Sequence, residues 1–133
     1  MALALSSACS SERPALPPVP VSAGAGAPSC PALLTALPHQ LAAGLTARRT
    51  QPDAGSTAAW GEPPVTLRCG VVRGNPRDDG YEFDGVRWVV HDDGTTHRWT
   101  TLDRPVPVEV VIPDAYDGQA ELLGTLAPAL KGR

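Results

Sequence analysis

Hydrophobic and polar residues alternate most cleanly from Val65 to Val71, where Val65, Leu67, Cys69 and Val71 are interleaved with Thr66, Arg68 and Gly70. A period of two marks a strand with one buried face, and it turns Cys69 inward with the valines. The run STAAW just before it predicts a partner strand, with Gly61, Glu62 and Pro63 as the turn between them. In GVRWVVHDDGTTHRWTT, Asp93-Gly94 separates two strand-like runs and has the composition of a type I′ hairpin turn. With those two at the centre, residue 88 pairs with 99, 90 with 97 and 92 with 95. Val86, Trp88, Val90, His97 and Trp99 then share the core face; Arg87, Val89, His91, Thr96 and Arg98 share the other. PVPVEVVI adds another alternating strand, with Val106, Val108, Val110 and Ile112 inward and Glu109 and Val111 outward. Pro107 has no N–H to give to a neighbour, which predicts an edge strand.

The period becomes helical at both ends of this region. In SCPALLTALPHQL, Ser29 is expected to cap a helix whose first turn holds Pro31. Leu33, Leu34, Leu37 and Leu41 follow at near-helical spacing, and Pro38 is expected to end the helix. LTARRTQ predicts a short strand and RGNPRDDG a polar loop. DGQAELLGTLAPALKGR predicts a closing helix capped by Asp117, with Ala120, Leu123 and Leu126 on one stripe and Leu122 beside it. Together these elements predict an α+β fold: an antiparallel sheet of five to six strands with an N-terminal and a C-terminal helix on one face, preceded by a disordered tail.

The alternation stops upstream of Ser29, and the chain is expected to divide there. Residues 10–28 carry five prolines and no hydrophobic period, the composition of an extended tether. Residues 29–133 are expected to be the single folded domain. Residues 1–9, MALALSSAC, form a short apolar run that ends in small residues and stops at Cys9. That is the pattern of a truncated bacterial lipoprotein signal, although the charged start is missing and the apolar stretch is too short. Either the true start lies upstream of Met1 or this is an ordinary N-terminal segment. The tether directly after Cys9 favours the first, with Cys9 lipidated and the domain held at a membrane on its extracytoplasmic side, or else secreted.

Charge narrows the partners. The net charge of −3 over 133 residues provides no basic field for nucleic acid. No stretch is long and apolar enough to cross a membrane as a helix. Setting Cys9 aside leaves Cys30 and Cys69 with three readings: a disulfide, two buried thiols, or a catalytic thiol at Cys69. The inward face of Cys69 suits a bridge to the head of the first helix and is poorly placed for a nucleophile. Closing a loop of roughly 40 residues is worth about 4 kcal/mol in the chain-entropy model. No CxxC or Cys/His spacing points to zinc. There is no GxSxG, P-loop, GxGxxG or HExxH motif, so neither a catalytic residue nor a cofactor is expected. His91 and His97 project from opposite faces and cannot share a metal. The aspartate pairs 78-79 and 92-93 flank glycines as turn residues do. Arg68, Arg87 and Arg98 all project from the outer sheet face and form a candidate anion-binding patch.

In order, CPALLTALP, AAWGEPPVTLRCGV, GVRWVV and DRPVPVEVVIP resemble the actinobacterial proteins grouped as domain of unknown function 3515. The resemblance runs from Cys30 to Pro113, and the W-G-x-P…L-R-C-G block is its specific part. It implies an envelope location, a structural pairing of Cys30 with Cys69, and no assigned activity. The segment TTLDRPVP lacks the glycine expected before its arginine. The expected function is therefore that of a non-catalytic envelope protein that binds an unknown protein partner or wall component through the exposed sheet face. The alternatives are an enzyme whose site is assembled from distant residues, for which His39 and His97 would have to meet an acidic group in a cleft, and a secreted inhibitor-like module presenting the loop from Arg73 to Gly80.

Overall fold

The computed structural model describes residues 22–50, 55–75, 77 and 79–131. Helix α1 (Ser29–Ala36) is followed by strands β1 (Gln40–Leu41), β2 (Leu45–Arg48), β3 (Thr57–Trp60), β4 (Val65–Cys69), β5 (Tyr81–Phe83), β6 (Val86–Asp92), β7 (Thr96–Thr101) and β8 (Val108–Pro113), and by helix α2 (Gln119–Leu130). The strands form one antiparallel sheet in the order β1-β2-β3-β4-β8-β7-β6-β5. It consists of two meanders laid side by side and joined where β4 pairs with β8.

The α+β class and the antiparallel sheet are as the sequence predicts; the strand count is not. Among the described residues eight strands replace the expected five to six, the additions including the two-residue β1 and three-residue β5, too short to show a period. The final strand is not an edge. β8 lies between β4 and β7, with Thr66 opposite Val111 on one side and Arg98 opposite Val111 on the other. Pro107 causes no loss because it sits just before the strand and acts only as an acceptor: its carbonyl receives the N–H groups of Gly70 and Val71.

The hairpin register also differs. Val90 pairs with Trp99, Asp92 with His97 and Trp88 with Thr101, so Gly94 and Thr95 form the tip, closed by the Asp93 N–H donating to the Thr96 carbonyl. The displacement from the expected pairing is two residues, an even number, and every side chain keeps its expected face. Trp88 does not face Trp99. Trp99 instead meets Tyr81 and Phe83 edge-on, at 5.7 and 5.6 Å between ring centres.

The core lies on one side of the sheet. Val65, Leu67, Cys69, Trp88, Trp99, Val108, Val110 and Ile112 pack with Cys30 and Leu33 of α1 and with Leu122, Leu123 and Leu126 of α2. Ser29 is the first residue of α1, not its cap; Pro28 holds that position and no side chain bonds there. Gly118, not Asp117, precedes α2. Cys30 and Cys69 are joined by a disulfide, which fastens the first turn of α1 to the end of β4. Residues 10–21 of the expected tether and Cys9 lie outside the described residues. Residues 22–28 form turns, and the N–H of Gly24 donates to the Gly70 carbonyl at 3.0 Å.

Candidate functional site

The most distinctive block of the sequence, from Trp60 to Gly70, is explained by packing. Trp60 is buried, and its indole N–H donates to the Pro38 carbonyl at 2.9 Å, tying the end of α1 to β3. A Cβ at Gly61 would stand 2.8 Å from Leu45 Cδ2. Cys69 carries the disulfide. Gly70 has φ +84°, and a Cβ there would lie 2.3 Å from the backbone of Gly24, so the turn at residues 22–28 can close only over glycine. These residues shape the domain, and chemistry has to be sought elsewhere.

It is found on the outer face of the sheet. Register places Arg68 directly opposite Glu109, Glu109 opposite Thr100, and Arg98 opposite both Val111 and His91. Arg68 Nη1 donates to Glu109 Oε1 at 3.2 Å, and Arg98 Nε lies 3.9 Å from Glu109 Oε2. Arg98 also binds Asp93 at 2.6 Å, and His91 Nε2 is 3.1 Å from the same aspartate. The expected arginine patch is thus only partly assembled. Arg68 and Arg98 converge, but they converge on a carboxylate that is itself 8% exposed. Arg87 sits at the far end of β6 and pairs with Asp103 at 3.2 Å.

A groove of about 400 Å³ opens over this network, walled by Ser22, Val71, Val72, His91, Arg98 and Glu109 among others. Two polar atoms beside it, Ser22 Oγ and Arg68 Nε, are buried without a hydrogen-bond partner among the described residues. Val72, 88% exposed, stands at the same place. The groove therefore sets an apolar shoulder beside a locked charge network. A hydroxyl, carbonyl or carboxylate oxygen of a ligand could bond the part-exposed guanidinium of Arg98 in its wall. Sequence reasoning missed Glu109 and Ser22. Glu109 was recognisable as outward-facing, but its meeting with Arg68 depends on the β4–β8 pairing, for which no local pattern exists.

The histidines do not gather. His97 lies between Asp92 and Asp114, at 3.6 and 3.1 Å, while His39 borders a separate cleft with Arg49 and Trp60. Among the described residues no three His, Cys, Asp or Glu side chains are placed to hold a metal ion, and no helix is long and apolar enough to cross a membrane. Arg73, at the root of the exposed loop, donates to the carbonyls of Arg104 and Pro105, each at 2.8 Å.

Comparison with known proteins gives one match. The family model described as "Protein of unknown function (DUF3515)" matches residues 1–131, and the chain belongs to that family. No curated protein matches, and neither does any solved structure.

Proposed function

We propose that this DUF3515 protein is a non-catalytic binding protein of the cell envelope, attached to the membrane through a lipid on Cys9 or secreted, which engages a protein partner or a wall component through the outer face of its sheet. The observation that carries this reading is the groove over Arg68, Glu109 and Arg98, whose wall includes the part-exposed Arg98 guanidinium. A ligand oxygen can bond that guanidinium directly. Val71 and Val72 add apolar contact beside it. The disulfide supports an oxidising compartment, where such bonds persist. The net charge of −3 argues against nucleic acid as the partner.

Photo-crosslinking in native envelope fractions tests the reading. A cross-linker in place of His91 or Thr100 should capture one defined product, and the same group in place of Glu121, exposed on α2, should not. Arg68→Ala should abolish capture while the domain stays folded. Intact-mass analysis should show a diacylglyceryl-sized addition on Cys9. Equal capture from both sides of the molecule, or a cytosolic protein with an unmodified Met1, would end this reading.

A further inference from the structure

The far end of the sheet carries a second cleft, of about 410 Å³, between the β5–β6 turn, the segment that follows β7 and the C-terminal end of α2. That volume falls within the roughly 300–1,000 Å³ of small-molecule sites. Val86 and Leu130 supply apolar wall, and the charged groups are Arg87, Asp103, Arg104 and Lys131. Arg87 and Asp103 satisfy each other at the rim. The remaining two cations have no carboxylate among the described residues.

Arg104 is the unusual member. It is 7% exposed. Its Nε donates to the Val106 carbonyl at 3.3 Å and its Nη1 to the Leu130 carbonyl, both neutral acceptors. Nη2 has no partner among the described residues. Burial holds its pKa below the ordinary arginine value. Part of its role is structural, because a cation against the last carbonyls of α2 offsets the negative end of the helix. A surface lysine or arginine could do that without being desolvated, and Lys131 already occupies the C-cap of the same helix. A guanidinium buried beside an open apolar cleft, with a second cation at the mouth, is a receptor for a planar or tetrahedral anion.

We propose that this cleft binds an anionic head carried on an apolar body, an alkyl carboxylate or alkyl phosphate, with the head on Arg104 and Lys131 and the chain along Val86 and Leu130. This site is separate from the outer-face groove and stands without it.

Amide NMR titration of the intact domain tests the proposal, with octanoate, octyl phosphate, octanol and inorganic phosphate as probes. Octanoate or octyl phosphate should shift the amides of residues 85–87, 101–104, 130 and 131, and the tighter of the two identifies a carboxylate or a phosphate head. Octanol and inorganic phosphate should bind at least about tenfold more weakly, since each lacks one of the two required features. Lys131→Glu changes an exposed residue, should leave the fold intact, and should weaken the alkyl anions about tenfold. Arg104→Lys keeps the charge but loses the fork and should weaken them as well. Octanol binding as tightly as octanoate, affinity unchanged in Lys131→Glu, shifts confined to the groove at Arg68, or no shift with any probe would each overturn it.

Discussion

The two faces of β8 keep water out by different means. Inward, Val108, Val110 and Ile112 are fully buried by apolar packing under two helices. Outward, Glu109 is nearly as well covered, by Arg68 and Arg98 reaching over it from both sides. Burial alone therefore does not say what a residue contributes. An inner side chain that is cut away loses transfer energy and leaves a cavity. An outer one leaves an uncompensated charge, a loss that salt screens in part.

That contrast can be broken most sharply at Trp88. Trp88→Ala should cost about 3–5 kcal/mol in denaturant unfolding, with no dependence on salt; a loss below about 1 kcal/mol would mean the inner face is not tightly packed. Cys30→Ser should cost about 4 kcal/mol in the chain-entropy model, and reducing agent should reproduce the loss in the unaltered protein. If both thiols of the folded protein react with a maleimide, the bond is absent. On the outer face, Glu109→Gln should cost about 1–2 kcal/mol, and combining it with Arg68→Met should recover part of the loss. Full additivity would show that the pair does not interact.

Tyr116 gives the comparison a pH axis. Its hydroxyl donates to the Pro63 carbonyl at 2.6 Å, and burial, then the nearby Glu62, raise its pKa above the ordinary 10.0. A raised pKa means the folded state holds the proton more tightly, so the stabilisation is present below pH 10.0 and is lost as pH rises through the higher folded value. Tyr116→Phe should cost about 0.5–1.5 kcal/mol near neutrality, and the gap should close in alkaline solution. A gap that stays constant with pH would refute the linkage. The smallest effect belongs to His91→Ala, within about 0.5 kcal/mol, because its ring is exposed on the outer face.

Face assignment was legible from alternation alone, and it survived a wrong register because Gly94-Thr95 and Asp93-Gly94 place the tip one residue apart and the pairing two. Strand order was not legible. Nothing local to PVPVEVVI states that it inserts beside β4, and Pro107, read as the sign of an edge, serves as an acceptor at the seam. How much of the arginine patch comes together was not legible for the same reason. A shared face is a property of each strand; whether Arg68, Arg87 and Arg98 meet depends on which strands are neighbours. Arg104 was marked only by the missing glycine before it, and its burial was not legible, since it lies in a Pro-flanked turn and is covered by the end of α2.

The attachment of residues 22–30 has a mechanical consequence. Gly24 is bonded to Gly70 and Cys30 to Cys69, so the N-terminal chain is fastened twice at the end of β4. β4 has a partner on each side, β3 and β8. A pull on the chain before Ser22 meets the hydrogen bond first and then a covalent cross-link in the first turn of α1, which spares the rest of that helix. The load passes into the middle of the sheet and is shared by two ladders at once. Traction applied at an outer strand such as β1 or β5 would instead peel a single ladder one bond at a time.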